Sequence, residues 1–269
     1  MVSLTEIAPE TLGLGLRGRT ALVTGSTGGI GHAVAARLAA AGCDIVLHGL
    51  ATEAEGAAAV AEIDRRHAVS IRYHHADLAS PAAIEAMVST LDSVDILVNN
   101  AASRHFGPVE QTSTADWEAD LAVNLSAAFH LIRLTLPGMR ERGWGRIINM
   151  SSIFGLIGAA GRVGYVTTKT ALIGLTRAVA LETAGGGITC NALCPGTTMT
   201  PNIEARIRAA MGGGGGRAEA EAGFLAGKQP TGRFVDPAAV GAAVAFLCSP
   251  AGGDITGVAL PIDGGWSAT

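Results

Sequence analysis

The sequence predicts an α/β fold: a single doubly wound domain whose seven parallel strands carry helices on both faces. Three observations predict it. Short apolar runs alternate with stretches of helical periodicity along nearly the whole chain, the pattern of consecutive βαβ units. The first apolar run ends in the glycine cluster Thr24-Gly25-Ser26-Thr27-Gly28-Gly29-Ile30-Gly31, directly before a helical pattern. The polar motifs further along, Asn99-Asn100, Ser152 and Pro195-Gly196, each follow the end of an apolar run, and in such sheets ligands bind beyond the carboxyl ends of the strands.

In chain order, 21–23 reads as a short buried strand. Behind the glycine cluster, Ile30, Val34 and Leu38 fall four apart on one face of an Ala-rich helix, and Gly42 is a natural stop. Further strands are expected at 44–48, 70–74, 95–98, 146–150, 188–193 and 258–262, with helical segments between them. In the segment 116–142, Trp117, Leu121, Leu125, Phe129, Ile132 and Leu136 recur at near-helical spacing and read as a buried stripe, with Asn124 beside it. The segment 199–228 is longer than an ordinary connection, contains the glycine run 212–216, and is expected to be helical in part, at 203–211. Long insertions of this kind are mobile lids or plain surface loops, and its place after Pro195-Gly196 favours a substrate lid. Residues 1–16 read as an N-terminal extension and 17–269 as the single catalytic domain.

Composition excludes more than it assigns. A chain of 269 residues with 48% apolar and 4% aromatic residues suits one α/β domain with an aliphatic core. A formal charge of −4 gives no electrostatic footprint for nucleic acid. No apolar stretch approaches the ~18 residues of a membrane span, and 1–17 carries Glu6 and Glu10 without a hydrophobic signal core, so a cytoplasmic protein is expected. Cys43, Cys190, Cys194 and Cys248 lack metal-ligand spacing and read as buried thiols. The seven histidines are scattered, and no metal site is expected.

Chemistry enters with Tyr165 and Lys169, four residues apart and therefore stacked on one helical face. A free tyrosine titrates near 10, and a cation within ~4–6 Å favours its phenolate. The pair could move a proton, although the same spacing occurs on solvated helices. The glycine cluster between strand and helix lets backbone N–H groups hold a pyrophosphate. Taken in order, the Thr-Gly-x-x-x-Gly-x-Gly of 24–31, Asn99-Asn100-Ala101-Ala102, Asn124, Ser152, the Tyr-x-x-x-Lys of 165–169 and Pro195-Gly196 resemble the short-chain dehydrogenase/reductase family from about residue 17 to Ile262-Asp263-Gly264-Gly265. Ala102 departs from the glycine usual there.

The resemblance implies a Rossmann-type fold and an NAD(P)-dependent oxidoreductase acting on a secondary alcohol or ketone. Tyr165 is then the proton donor or acceptor, Ser152 holds the same substrate oxygen, Lys169 lowers the tyrosine's pKa and binds the nicotinamide ribose, and the backbone of Asn124 holds a water beside the lysine. Cofactor contacts are implied at Gly25, Thr27, Gly29, Ile30, Gly31, Asp77, Leu78, Asn100, Tyr165, Lys169, Pro195, Gly196, Thr198 and Thr200. NAD is preferred over NADP. The end of the second strand, His48-Gly49-Leu50, offers neither an acid nor a base, Gly28 stands where a basic residue often accompanies a 2′-phosphate, and Glu53 lies nearby.

Within the family the likeness is to bacterial D-3-hydroxybutyrate dehydrogenases. In place of that subfamily's pocket glutamine, histidine, lysine and tryptophan, this chain has Arg104, Phe154, Arg162 and Thr197. Changed specificity is expected, with Arg104 or Arg162 binding a substrate carboxylate and His105 lining the substrate side. 3-Oxoacyl thioester reductases and polyol or sugar dehydrogenases share the scaffold. A non-catalytic nucleotide sensor is the alternative of another class, disfavoured because Ser152, Tyr165 and Lys169 are all present. The last strand and Asp263-Gly264-Gly265-Trp266 resemble a family subunit contact, which implies a homotetramer.

Overall fold

The computed structural model describes residues 14–211 and 216–269. The strands are β1 (Thr20–Val23), β2 (Asp44–Gly49), β3 (Ile71–His75), β4 (Ile96–Asn99), β5 (Gly145–Met150), β6 (Ile188–Pro195) and β7 (Ala259–Ile262). They form one parallel sheet in the order β3-β2-β1-β4-β5-β6-β7. The helices are α1 (Gly29–Ala40), α2 (Glu53–Asp64), α3 (Pro81–Ser89), α4 (Thr114–Leu121), α5 (Ala127–Glu141), α6 (Val163–Thr183), α7 (Pro201–Met211), α8 (Arg217–Leu225) and α9 (Pro237–Cys248). All seven expected strands form, each within two residues of its expected bounds.

The central strands are largely apolar because both faces are covered. Ala21, Val23, Ile45, Leu47, Ile96, Val98, Ile148 and Met150 point to one side, where α1, α2 and α9 supply Val34, Leu38, Ile63, Val240 and Val244. Their neighbours Leu22, Val46, Leu97 and Ile147 point to the other, against Ile84 and Met87 of α3, Leu131 and Met139 of α5, and Val179 of α6. Leu16 is fully buried in the first of these layers. The folded domain therefore begins before residue 17, a correction to the expected extension, whose residues 1–13 lie outside the described part.

One further expectation changes. The segment 116–142 is not one regular helix: α4 passes through a π-helical stretch, Ala122–Ser126, into α5. Its buried side chains are Asp120, Asn124, Ala127, Ala128, Leu131, Ile132, Thr135 and Met139. Of the expected stripe only Ile132 is buried; Phe129 is 48% exposed and Trp117, Leu121, Leu125 and Leu136 are half-buried. The π turn rotates the following residues, so a single helical period cannot carry across it. The segment 199–228 folds into α7 and α8, joined by a bidentate pair from Arg217 to Glu204 at 2.8 and 2.9 Å. Residues 212–215 of the glycine run lie outside the described part.

The order of strands reverses between β1 and β4, and the chain beyond their carboxyl ends parts there to leave a crevice. It carries the site.

Candidate active site

The glycine loop between β1 and α1 builds one wall. Gly25 and Gly29 have φ of +61° and +59°, conformations that favour glycine. A Cβ on Gly31 would run into the Gly25 carbonyl and come within 2.6 Å of the Asn100 amide, so Gly31 lets the helix approach the loop. Gly29 and Gly31 therefore shape the loop and are not among the residues lining the crevice, whereas Gly25, Thr27, Gly28 and Ile30 are. No side chain caps α1 at Gly28, which leaves its first N–H groups free for an anion.

Two side chains pin this loop from neighbouring strands. Asn100 donates to the carbonyls of Thr24 and Gly25, both at 2.9 Å, and its own N–H reaches Thr24 Oγ1 at 2.9 Å. His48 accepts from the Gly25 N–H through Nδ1 at 3.3 Å and donates from Nε2 to Ala76 O at 2.9 Å. Burial holds this imidazole below its ordinary pKa, which keeps it neutral and in that tautomer. Nothing in the sequence marks this role, because it places His48 near the end of β2 without showing which way its ring turns. Leu50, 66% exposed, stands at the rim with Asp77, Leu78, Thr27 and Gly49 around the same end of the crevice.

The other end holds the reactive pair. Tyr165 and Lys169 lie one turn apart in α6 and are 6% and 2% exposed. Lys169 Nζ donates to Met150 O at 2.8 Å and sits 5.5 Å from the Tyr165 ring centre. Burial alone would raise the phenol's pKa, but the charges of Lys169 and Arg104 and hydrogen bonds from Ser152 and Arg104 outweigh it and bring the phenol below 10. Lys169 is itself lowered, first by burial and then by Arg104, with Tyr165 acting against both. Ser152 lies two residues beyond β5 and is buried beside them. The arrangement is a tuned acid and base at the wall of a cavity.

Asn124 stands in the π turn, 2% exposed. Its Oδ1 accepts from Ser103 N at 2.7 Å, and its Nδ2 donates to Ser103 O at 3.1 Å and Thr168 Oγ1 at 3.2 Å. It thus ties the chain after β4 to α6. Of the expected substrate residues, Arg104, Phe154, Arg162 and Thr197 line the cavity of about 270 Å³ in front of Tyr165. His105 does not: its ring faces α4, 3.0 Å from Asp120 and 3.4 Å from Asp116. Two carboxylates on one helix draw it away from the substrate side. Pro195, Gly196, Thr198 and Thr200, expected to contact the cofactor, line the same cavity.

Sequence reading missed Phe106, Arg206, Phe224, Lys228 and Trp266, all of which line the same cavity. Phe106 is two residues from Arg104, and that spacing was the available sign; the others come from α7, α8 and the C-terminal turn, whose facing is set by tertiary packing.

The comparisons agree with this geometry. Residues 19–210 match the family described as short chain dehydrogenase. The chain belongs to that family. It is an NAD(P)-dependent oxidoreductase acting on CH–OH groups. It is 41% identical to the D-beta-hydroxybutyrate dehydrogenase of Cupriavidus necator, over 94% of this chain and 99% of that one. It is 35% identical to a 2-keto-3-deoxy-L-fuconate dehydrogenase of Xanthomonas campestris, over 99% and 86%. Among solved structures, an L-sorbose reductase of Gluconobacter frateurii complexed with NADPH and L-sorbose superposes with a TM-score of 0.90 at 29% identity, covering 96% of this chain and 99% of that one.

The crevice fits a dinucleotide. The open space at Gly28, the free N–H groups of α1 and the strand-order reversal suit a pyrophosphate, and the buried Lys169 stands at the far end. Among the described residues no group of three or more His, Cys, Asp or Glu is placed to hold a metal, and no helix is long and apolar enough to cross a membrane. The four cysteines are free and buried; burial pushes the thiols of Cys43 and Cys190 up to about 12 and that of Cys194 to about 11, and raises that of Cys248 as well.

Proposed function

We propose that this enzyme is an NAD-linked dehydrogenase of a hydroxy acid. The observation that carries the reading is the cavity in front of Tyr165, where Arg104 and Arg162 face the substrate space and no carboxylate is among the lining residues. Arginine's fork matches a carboxylate, and Arg104 lies 5.0 Å from the Tyr165 ring centre, so an acid bound there has its hydroxyl near the phenol. Arg162 is braced between Phe106 at 4.8 Å and Phe154 at 5.0 Å.

In oxidation, Tyr165 takes the hydroxyl proton and Ser152 holds the same oxygen. Lys169 favours the phenolate, and the Asn124 turn connects it to solvent. A nicotinamide, when bound, would supply the hydride acceptor. Residues Gly25, Thr27, Ile30, Asp77, Leu78, Asn100, Pro195, Gly196, Thr198 and Thr200 bind and orient the dinucleotide, while Gly29 and Gly31 give the loop its shape.

For the cofactor, Leu50, Gly49 and Asp77 border the adenosine end, and no lysine or arginine of the crevice lining comes from the strand ends there. A 2′-phosphate would lack a partner, which favours NAD; a 3-oxoacyl reductase of Agrobacterium tumefaciens with NADP bound, 31% identical, shows that the scaffold also accepts NADP. The fold leaves β7 at an open sheet edge, and the half-exposed stripe of Trp117, Leu121, Leu125, Phe129 and Leu136 offers a second apolar face, so we assign a homotetramer. The segment α7–α8 acts as a substrate lid. A cytoplasmic location accords with four unpaired cysteines.

Initial rates of NADH and NADPH formation with matched panels of hydroxy acids and neutral polyols test the reading. Faster turnover of an acid with NAD is the expected result. A best substrate that is an uncharged polyol, or a preference for NADP, overturns the corresponding part, and light scattering that gives a stable monomer at micromolar concentration overturns the tetramer.

A further inference from the structure

The cavity holds more positive charge than one carboxylate requires. Besides Arg104, Arg162 and the buried Lys169, it is lined by Arg206 of α7 and by Lys228, which follows α8. Arg206 lies over the Phe224 ring at 4.8 Å and Lys228 at 4.5 Å, on the lid side, while Arg104 and Arg162 lie on the Tyr165 side. Among the described residues no carboxylate comes within salt-bridge distance of Arg104, Arg162, Arg206 or Lys228. The acid on the same helix, Glu204, is taken by Arg208 and Arg217. The crowding is felt by the groups themselves: burial first, then Arg104 and Arg206, depress Arg162, with Tyr165 acting against them, and burial first, then Arg162 and Arg206, depress Lys228. A chain with a net charge of −4 has no compositional reason to gather four unpaired cations around one cavity.

From this juxtaposition we infer that the substrate is a dianion: a hydroxy acid with a second anionic group, carboxylate or phosphate, at the end remote from the reacting carbon. The inference rests on the hydroxy-acid reading above. One anion lies between Arg104 and Arg162, and the other reaches Arg206 and Lys228 under the lid. Lys228 donates one hydrogen bond to the Phe224 carbonyl, which leaves two of its three donors for a ligand. Arg104, Arg162 and Arg206 border both the dinucleotide crevice and the inner cavity, so a cofactor phosphate can account for one of them, but not for Lys228, which lines the inner cavity alone.

The test uses the full-length enzyme with NAD and secondary alcohols that differ at one end: 3-hydroxybutyrate, 3-hydroxyglutarate and 3-hydroxy-4-phosphobutyrate. The distal charge is expected to raise kcat/KM by about 10-fold or more, the scale of a charge-assisted hydrogen bond, and the two dianions tell carboxylate from phosphate. Lys228→Met is expected to lower the dianion's kcat/KM about 10-fold more than the monoanion's, with NAD affinity as in the parent. In parallel, glutarate and butyrate compete for the enzyme–NADH complex, read by nicotinamide fluorescence, so that the charge question is answered even if none of the three alcohols is oxidised. Glutarate binding no tighter than butyrate, equal losses for both substrate types in Lys228→Met, or a loss of NAD affinity in that variant overturns the dianion. A neutral polyol as best substrate overturns the hydroxy-acid reading with it. Preference for a monocarboxylate overturns only the inference drawn here.

Discussion

Replacing Tyr165 by Phe separates chemistry from architecture more sharply than any other single change. The ring is retained, so its contact with Phe154 at a centroid distance of 6.5 Å and with Arg104 at 5.0 Å persists, and the residue is only 6% exposed. What is lost is one hydroxyl with hydrogen bonds to Ser152 and Arg104. A lost hydrogen bond of this kind costs about 0.5–1.5 kcal/mol of stability. Lys169 keeps its bond to Met150 O and its place in the crevice, so NAD affinity is expected to stay within about threefold, an estimate from that retained contact. Removal of the general acid or base at the reacting oxygen costs about 10²- to 10⁴-fold in kcat, or roughly 3–5 kcal/mol of barrier. Steady-state NADH absorbance gives kcat, fluorescence titration gives NAD affinity, and thermal denaturation gives stability, all on one preparation. Turnover within threefold of the parent refutes the assignment of Tyr165, and so does a fall in turnover fully accounted for by loss of folded protein.

Further outcomes follow from the same geometry. The proton-accepting form of Tyr165 is the phenolate, and its pKa lies below 10, so kcat/KM for oxidation should rise with pH and level off before pH 10, while ketone reduction should fall over the same range. Arg104→Met removes one of the charges that lowers the phenol, and its pH–rate profile should move to higher pH; an unmoved profile would show that Arg104 only binds substrate. Lys169→Met should lower kcat by about 10²-fold or more and NAD affinity by about 10- to 150-fold, because one buried ammonium serves both proton and ribose; loss of thermal stability alone, with kinetics intact, would make it a structural lysine. Gly31→Ala places a methyl against the Gly25 carbonyl and the Asn100 amide. It should cost about 1–3 kcal/mol by overpacking and raise the KM for NAD, measured by denaturant titration and initial rates. Glu204→Gln removes the acceptor of the bidentate Arg217 pair and should speed proteolytic cleavage between residues 199 and 228 with little effect on the global transition, which would not happen if α7 and α8 were held by packing alone.

The sequence by itself determined the sheet, the glycine loop and the reactive pair. Strands such as 21–23 and 96–98 are legible because both faces of a parallel sheet are buried, which leaves a short continuous apolar run bounded by polar or glycine-rich segments. Tyr165 and Lys169 are legible because their relation is local, a single helical turn. The tertiary structure alone decided what depends on facing. The stripe of Trp117, Leu121, Leu125, Phe129 and Leu136 has the period of a buried face, yet the π turn at Ala122–Ser126 breaks that period, leaving Phe129 exposed and the others half-buried. His105 follows the Asn99-Asn100 motif closely in sequence, yet Asp116 and Asp120 turn it away from the cavity. Arg206 and Lys228 are distant in sequence from Arg104 and Arg162, and they meet them only because α7 and α8 fold back over the carboxyl ends of the strands. Periodicity records which residues share a side of one element, whereas the charge of a cavity is a sum over elements brought together by packing.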